Sequence, residues 1–329
     1  MRHINVALFV VHEGCSHRCT FCNQRSISGE KNRLTACQVD SAVQTALGSN
    51  PDAAEQGEIA FFGGSFTLIE RGYMLELLSA AKKYVDSGKM RGIRISTRPD
   101  GITAEICALL KEYGVTSVEL GAQSMDDTVL AKNRRGHTAK QVEDACALLH
   151  SFGFEVGLQM MTGLYGSADS DCIESARRLI ELSPATVRIY PTAVLRGTEL
   201  AELMQRGEYK PQSLENAVAL CARLLLMFDN ANIPVIRLGL HSGGGVEEDF
   251  LAGAYHPALR EKCESRIYRD ITLPLLVDKK TATVAVNKSE LSKFIGQKRE
   301  NIEFFEKSGC TVSVLPVDFL KKYEVKVYT

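Results

Sequence analysis

The sequence predicts an α/β fold, namely an open, partial barrel of about six strand–helix units followed by a small α/β unit. Two observations predict it. Short apolar runs rich in β-branched residues alternate with segments whose apolar residues recur at helical spacing. Strands separated by helices favour a parallel sheet with the helices outside it, because parallel strands need crossover connections. Since six units are too few for the closed barrel of about eight, we expect an open barrel.

Length and composition agree with this fold. A chain of 329 residues can form one large domain and one small domain. Apolar residues make up 45% and charged residues 24%, and the net charge of −1 gives no general basic field for nucleic acid. No stretch is long and apolar enough to cross a bilayer, so we expect no membrane association. Ten cysteines without a secretory leader predict the reducing cytoplasm.

The predicted elements follow one another in a regular order. The barrel strands are expected at 4–11, 58–66, 92–98, 115–121, 155–163 and 186–192, with a further strand at 233–240. The helices are expected at 38–48, 72–86, 103–113, 139–152 and 170–182, with one or two more within 199–231 and a glycine-rich loop at 241–249. In barrels of this kind the chemistry lies at the carboxyl ends of the strands, where loops follow each strand.

Three cysteines lie on the loop that follows the first strand. Cys15, Cys19 and Cys22 have the spacing C-x3-C-x2-C. Three thiolates on one short loop can bind three corners of a 4Fe–4S cluster, for which full protein ligation takes four thiolates. One iron would then be open to a small molecule. The spacing therefore favours an iron–sulfur site with a vacant position.

Two other interpretations of these cysteines stay open. A structural zinc site usually has four ligands in two close pairs, whereas the other seven cysteines are scattered and His17 lies inside the loop. Buried thiols that only pack in a core are common, but three within eight residues, among polar neighbours, do not resemble an apolar face. We expect the iron–sulfur site.

The cysteine loop resembles that of the radical S-adenosylmethionine (SAM) superfamily, whose signature is C-x3-C-x-aromatic-C, with Phe21 in the aromatic position. Segments 117–127, 133–138 and 189–200 are similar to the elongator catalytic-subunit branch, and the resemblance covers roughly residues 3–265. It implies a TIM-like partial barrel that binds one 4Fe–4S cluster and SAM. The implied reaction is reductive cleavage of SAM to a 5′-deoxyadenosyl radical, which abstracts hydrogen from a substrate.

The resemblance also implies partners and shows a departure. A flavodoxin-like or ferredoxin-like protein would supply the electron. The elongator catalytic subunits carry an acetyltransferase domain after the radical module, and this chain stops too early for one. We therefore expect a stand-alone relative.

The resemblance implies which residues contact the cofactors. Cys15, Cys19 and Cys22 would bind the cluster. Residues that would contact SAM are Phe21, Gly63, Gly64, Ser65, Ser96, Gln123, Arg135 and Gln159. The glycine pair would lie beside the methionine amino group, an arginine fork suits a carboxylate, and Gln159 would meet the ribose.

Simpler interpretations of these residues stay open. The glycine pair could be an ordinary strand–turn pair, and Arg135 or Arg134 a solvated charge at a helix end. Ser96 stands where related sequences often carry an acidic residue, so the carboxylate would come from elsewhere or be replaced by a hydroxyl. Met161, like Phe21, could pack in the core or against adenine.

Other polar residues are weaker candidates. Tyr190, Arg196 and His256 are candidates for contacts with the substrate, although Tyr190 could belong to the barrel core and His256 could shape a loop. His137 could be a hydrogen-bonding residue at a helix start.

Residues 275–329 form a predicted small domain after a barrel domain of residues 1–270. Strands are expected at 281–286, 311–315 and 323–328, and two helices at 289–307 around the turn Gly296-Gln-Lys-Arg299. This order resembles a KH RNA-binding module, whose G-x-x-G loop clamps nucleic-acid backbone, although Arg299 replaces the second glycine. Ten Lys and Arg against seven Asp and Glu give a weak basic bias. RNA binding and a purely structural cap both remain open.

The sequence therefore predicts a radical SAM enzyme whose substrate is an RNA. One alternative is a small-molecule radical SAM enzyme, acting for example in tetrapyrrole or cofactor synthesis. The other is a non-enzymatic iron–sulfur protein that binds RNA as a sensor.

Overall fold

The computed structural model describes residues 5–10, 14–15, 19–23, 32–49, 56–240 and 245–328. The strands are β1 Val6–Val10, β2 Glu58–Gly63, β3 Gly92–Thr97, β4 Val115–Gln123, β5 Glu155–Thr162, β6 Thr186–Pro191, β7 Ala193–Leu195, β8 Val235–Leu238, β9 Phe250–Gly253, β10 Thr281–Asn287, β11 Thr311–Val317 and β12 Val325–Tyr328. The α-helices are α1 Ala36–Ser49, α2 Arg71–Asp86, α3 Ala104–Glu112, α4 Asp127–Lys132, α5 Ala139–Ser151, α6 Asp169–Glu181, α7 Glu199–Gln205, α8 Leu214–Asn230, α9 Val246–Asp249, α10 Leu259–Thr272, α11 Leu291–Ile295 and α12 Glu300–Lys307.

The main sheet is a parallel half-barrel. Its seven strands lie in the order β1-β2-β3-β4-β5-β6-β8, so their spatial order follows their order in the chain. The predicted open barrel is confirmed, and the further strand predicted at 233–240 completes the sheet as β8. Strands in chain order, each followed by a crossover, place all the loops after the strands at one end.

The two faces of this sheet differ in polarity because side chains alternate along each strand. The outer face packs under the helices in one large core, with Ile59, Phe61, Ile93, Ile95, Leu120 and Leu158 among its buried residues. The alternate positions carry polar side chains, among them Glu58, Arg94, Ser96, Glu119, Gln159 and Arg188. The inner face is therefore a hydrogen-bonding surface.

Of three features between the barrel and the small unit, the two helices within 199–231 agree with the prediction, and the other two differ from it. The helical segment 199–231 forms two helices, α7 and α8, separated by a turn. A two-stranded antiparallel sheet of β7 and β9, which the sequence did not suggest, joins two loops at the carboxyl end of the barrel. In the predicted loop 241–249, residues 241–244 lie outside the described residues and Val246–Asp249 forms the short helix α9.

The small unit has the predicted order of elements. Its strands lie in the order β11-β10-β12, with β10 parallel to β11 and antiparallel to β12. Helix α10 belongs to both cores: Cys263 and Ile267 pack in the barrel core, whereas Tyr268 is fully buried in the core of the small unit. The predicted boundary between residues 270 and 275 therefore lies at the end of a helix, α10, that packs in the cores of both units. The division into two domains stays a prediction.

No helix in the described part of the chain is long and apolar enough to cross a membrane.

Candidate active site

A cavity of about 1170 Å³ lies at the carboxyl ends of the barrel strands. The cysteine loop, the ends of β2 to β5 and the start of α7 line it. All eleven residues predicted to hold the cluster or SAM are among its lining residues, namely Cys15, Cys19, Phe21, Cys22, Gly63, Gly64, Ser65, Ser96, Gln123, Arg135 and Gln159. Residues from five separate segments therefore meet in one place.

The cysteine loop lies directly against the loop that follows β2. Gly14 has a φ of +72°, and a Cβ on it would lie 2.2 Å from the backbone oxygen of Ser65. Gly63 has a φ of +105°, and the Gly64 N–H donates to the Val10 carbonyl at 2.7 Å. Both positions require glycine, for conformation and for space. Close backbone contact thus fixes the start of the cysteine loop against the glycine pair.

The three thiols lie at the surface of this cavity. Cys15 is exposed, and Cys19 and Cys22 are half-buried. The Cys15 thiol lies 3.6 Å from the Ser65 hydroxyl, and the Cys22 N–H donates to the Cys19 carbonyl at 3.1 Å. Burial, and then the neighbouring Cys19 and Cys15 thiols, raise the pKa of Cys22 to about 12. The surroundings of Cys22 therefore disfavour its thiolate form.

The described residues contain no three His, Cys, Asp or Glu side chains arranged to hold one metal ion. A cubane cluster does not require three ligands around one metal ion, because each thiolate binds its own iron. His17, which the sequence places inside the cysteine loop, lies outside the described residues.

Arg135 connects the end of β4 to the cysteine loop. Its Nη1 donates to Cys19 Sγ at 3.1 Å and its Nη2 donates to the Gly121 carbonyl at 2.7 Å. The residue is 6% exposed, so the alternative of a solvated helix-end charge is wrong for Arg135. Its Nε is buried with no hydrogen-bond partner in the described part of the protein.

The end of β4 is irregular where it faces the cavity. The pairing of β4 with β5 shifts register between Gly121 and Gln123, and Gln123 has a φ of 64°, which is uncommon for a residue with a side chain. Its Oε1 is buried without a partner among the described residues. A Cβ on Gly121 would lie 3.0 Å from Gln123 Nε2 and 3.3 Å from Arg135 Nη2, so this glycine leaves space for both side chains.

Ser96 and Gln159 are connected through a buried carboxylate. Gln159 Nε2 donates to Ser96 Oγ at 3.4 Å and to Glu119 Oε2 at 2.9 Å. Glu119 is 1% exposed, and its Oε1 accepts from Arg188 at 2.6 Å and from Arg94 at 3.3 Å. Glu119 is opposite Ser96 in the β3–β4 pairing. A carboxylate thus lies one strand away from the position where the family resemblance led us to expect one.

Charged residues line the rim of the cavity on the side of α7. Arg134 and Glu199 form an ion pair of 2.7 Å, and Glu202 and Arg206 follow on the same side of α7. Asn23 donates to the Arg196 carbonyl at 3.0 Å and thereby holds the cysteine loop against the loop before α7. Glu199 was not among the predicted site residues, although the helical spacing of Glu199, Glu202 and Arg206 indicates a shared face.

The cavity lining does not include Tyr190, Arg196, His256 or Met161. Tyr190 lies on the sheet beside Arg188, and burial raises the pKa of its hydroxyl. His256 accepts from the backbone N–H of Ala258 through Nδ1, which fits a role in shaping its loop.

His137 is a buried residue whose Nε2 lies 3.2 Å from the Ala122 carbonyl. Burial, and then the charge of Arg135, lower its pKa to about 4.

The family comparison agrees with this geometry. The model of the radical SAM superfamily matches residues 9–179, and the model of the radical SAM C-terminal domain matches residues 184–269. Because the first match alone covers over half of the sequence, the chain belongs to the radical SAM superfamily. It is a radical SAM enzyme, and its sequence places it near the elongator catalytic subunits, as the following relatives show.

Human elongator complex protein 3 is 35% identical over 161 residues, which are 47% of this chain and 29% of that protein. The tRNA uridine(34) acetyltransferase of Methanocaldococcus infernus is 34% identical over 146 residues, 43% of this chain and 27% of that protein. The solved archaeal Elp3 of Methanocaldococcus infernus, with an N-terminal deletion, has a TM-score of 0.64 and 21% identity. It covers 82% of this chain and 64% of that chain, and supports the fold alone. The chain thus spans less than a third of these two curated relatives.

Enzymes of this superfamily use a 4Fe–4S cluster and SAM. The residues of the cavity fit both. Three thiols are a soft donor set suited to iron–sulfur clusters. Gln123 Oε1 and Arg135 Nε are buried polar atoms without protein partners in the described part of the cavity wall, and such atoms are rare unless a ligand or water completes them.

Proposed function

We propose that Cys15, Cys19 and Cys22 bind the 4Fe–4S cluster and that SAM occupies the rest of the cavity beside them. The single observation that carries this proposal is the convergence of all eleven predicted residues on one cavity. When bound and reduced, the cluster supplies the electron for cleavage of the SAM sulfonium to methionine and a 5′-deoxyadenosyl radical. The protein's own part is to bind, orient and shield these groups.

The cavity wall offers a distinct contact for each part of SAM. Gly63 and Gly64 would lie beside the methionine amino group, and Ser65 adds a hydroxyl. Arg135 supplies positive charge for the carboxylate while it remains in contact with Cys19. Gln159 is available to the ribose. Phe21, which packs against an apolar cluster formed around Leu200, offers a flat apolar surface for adenine.

We further propose that the substrate is an RNA. The curated relatives named tRNA uridine(34) acetyltransferase match this chain at 34% identity, although only over part of their length. The elements of the small unit follow the order expected for a KH module. These two observations favour RNA over a small metabolite. A cytoplasmic location and a flavodoxin-like or ferredoxin-like electron donor stay predictions.

The turn of the small unit has a backbone suited to close approach despite its departure from G-x-x-G. Lys298 and Arg299 have φ values of 50° and 66°, in the left-handed region that glycine favours, so Arg299 adopts the conformation expected of the missing glycine. Both side chains are exposed. The turn therefore presents two cations, and phosphate contacts dominate the affinity of proteins for nucleic acids.

The position of this turn supports a role in delivering RNA to the cavity. Leu259, at the start of α10, packs near Gly239 at the carboxyl end of the sheet. The turn contacts the half of α10 nearer to that end, because Gly296 packs against Ser265 and Lys262 lies 3.7 Å from Glu300. The opposite end of the unit reaches Asp229, at the far end of the barrel, through Lys322.

The test is the affinity of cluster-loaded protein for bulk tRNA at two salt concentrations. The double variant Lys298→Glu and Arg299→Glu should bind about ten-fold more weakly, with a shallower dependence on salt. The control variant Lys140→Glu and Arg177→Glu makes the same charge change on the barrel helices α5 and α6. Equal weakening by both variants would contradict a binding site at the turn. Deleting residues 275–329 is a poorer test, since it would uncover the fully buried Tyr268.

The substrate itself can be found by mass spectrometry of RNA and small metabolites from a strain that lacks the gene. Loss of one modified nucleoside would support the RNA proposal. An unchanged RNA with one accumulated metabolite would instead support the small-molecule alternative.

A further inference from the structure

We infer that Glu119 is a positioning residue. It fixes the orientation of the Gln159 side-chain amide, so that the amide oxygen faces the cavity as a hydrogen-bond acceptor specific for a ligand hydroxyl. The inference rests on the proposed binding of SAM and concerns the ribose end of that site. It is carried by four hydrogen bonds on the inner face of the sheet and by the burial of Glu119.

The Glu119 side chain is a buried hydrogen-bond acceptor. Its carboxylate is 1% exposed and lies against two guanidinium groups, with Arg188 Nη2 at 2.6 Å and Arg94 Nη1 at 3.3 Å from the same oxygen, Oε1. A carboxylate in this setting has acceptor atoms only. The second oxygen, Oε2, lies 2.9 Å from the end of the Gln159 side chain. Only the amide nitrogen of Gln159 can make a favourable contact there.

The Gln159 side-chain amide presents its oxygen to the cavity. Its amide has two N–H donors and one oxygen. One donor goes to Glu119 Oε2 and the other lies 3.4 Å from Ser96 Oγ. Both donors are thus used within the protein. Oε1 has no hydrogen-bond partner among the described residues, and the half-buried Gln159 lines the cavity. The group that a ligand meets is therefore an acceptor.

A hydrogen-bond acceptor at this position favours a ligand that donates a hydrogen bond to it over one that does not. A ribose hydroxyl satisfies it, whereas a ligand without the hydroxyl leaves Oε1 unpaired, at the cost of an unmade hydrogen bond. Glu119 does not touch the ligand in this arrangement. It acts through Gln159, and it lies opposite Ser96, the position at which related sequences often carry an acidic residue.

The variant Glu119→Gln should reverse the orientation of Gln159. The two arginines would hold the only oxygen of the new amide, so its NH₂ group would face Gln159. Gln159 would then turn its own oxygen toward residue 119 and its donors toward the cavity. Adding Gln159→Glu to this variant should restore an acceptor, because a carboxylate can accept from the new NH₂ group and also face the ligand.

The experiment is calorimetric binding of S-adenosylhomocysteine, and of its analogue that lacks both ribose hydroxyls, to the cluster-loaded full-length protein. The wild type should prefer the hydroxylated ligand by about ten-fold or more. Glu119→Gln should lose that preference, and Glu119→Gln with Gln159→Glu should regain it. Gln159→Leu, which leaves the arginines and Glu119 in place, should lose it as well.

The matched control is Glu58→Gln. Glu58 belongs to the same buried network, with Arg94 Nε at 2.7 Å and Ser117 Oγ at 2.6 Å, but it has no contact with Gln159. It should keep the preference even if it lowers stability. The inference is overturned if Glu119→Gln or Gln159→Leu keeps the wild-type preference, or if Glu58→Gln loses it. If the wild type binds neither ligand, the proposed SAM site itself is wrong, and the inference fails with it.

Discussion

The guanidinium group of Arg135 lies against the thiol of Cys19, with 3.1 Å between Nη1 and Sγ. The two residues are 116 positions apart in the sequence, and Arg135 also holds the end of strand β4 through the Gly121 carbonyl. A guanidinium donates charge-assisted hydrogen bonds, and these two bonds hold the cysteine loop against β4. The same side chain therefore joins the proposed cluster ligand Cys19 to the wall of the cavity next to it.

The first prediction compares Arg135 with its neighbour. Arg135→Met should lower the affinity for S-adenosylhomocysteine about ten-fold or more and reduce iron content, because it removes a buried charge with two hydrogen bonds. Arg134→Met should have the smaller effect, since the Arg134 side chain is 63% exposed and pairs with Glu199 at the rim. Calorimetry and iron analysis measure both. Equal effects of the two variants would mean that Arg135 has no special role.

The second prediction concerns the contact between the cysteine loop and the glycine pair. Gly14→Ala should prevent stable loading of the cluster, because the new Cβ would overlap the Ser65 backbone. Gly88→Ala is the control: its φ of +69° is similar, but no atom lies within 4 Å of the new Cβ, so it should cost only about 1 kcal/mol of stability. Iron and sulfide content per chain, with the free energy of urea unfolding, distinguishes the two. Normal loading of Gly14→Ala would contradict the packing described.

The third prediction is a pH dependence of stability that comes from His137. Its pKa falls from about 6.5 to about 4 on folding, owing to burial and then to Arg135, with a smaller lowering by Arg98 and an opposing effect of Asp100. Between these pH values the unfolded chain binds more protons, so the stability due to this group is complete above pH 6.5 and is lost toward pH 4. His137→Gln should reduce the loss of unfolding free energy between pH 7 and pH 5. An identical loss of unfolding free energy in the wild-type and the His137→Gln apoprotein would show that His137 does not contribute.

The fourth prediction tests the shared helix α10. Tyr268 is fully buried, and its hydroxyl accepts from the Tyr323 N–H at 2.9 Å. Tyr268→Ala should lower the free energy of unfolding by about 3–5 kcal/mol, because it opens a cavity in the core of the small unit. Tyr328→Ala, at a residue that is 39% exposed on β12, should cost much less. Similar losses from the two variants, in urea titrations, would contradict the packing of α10 into the small unit.

Much of the fold could be predicted from local patterns. The barrel strands and their helices follow from alternating apolar runs, because each pattern is set by the neighbours within a few residues. The sheet of β7 and β9 could not be predicted in this way. It joins Ala193 to Gly253 across 60 positions, and its strands have only three and four residues. Such short pairings depend on loops brought together by the barrel.

In the candidate site, too, some residues could be predicted from the sequence and others could not. The three cysteines and Gly63-Gly64 stand out because their chemistry or conformation is unusual in itself. Glu119 does not stand out: it lies inside a strand, and its importance comes from Arg94, Arg188 and Gln159 on three other strands of the sheet. Gly14 was missed for a similar reason, since only the three-dimensional contact with Ser65 shows why a glycine is required.

The central claim, that the three cysteines and the cavity beside them support reductive cleavage of SAM, has a direct test. Reconstituted protein with a verified cluster, reduced and mixed with SAM, should release 5′-deoxyadenosine and methionine. Cys22→Ser should abolish the release, whereas Cys37→Ser, an exposed cysteine on α1, should leave it unchanged. No 5′-deoxyadenosine from the wild type, or the same amount from Cys22→Ser, would contradict the account.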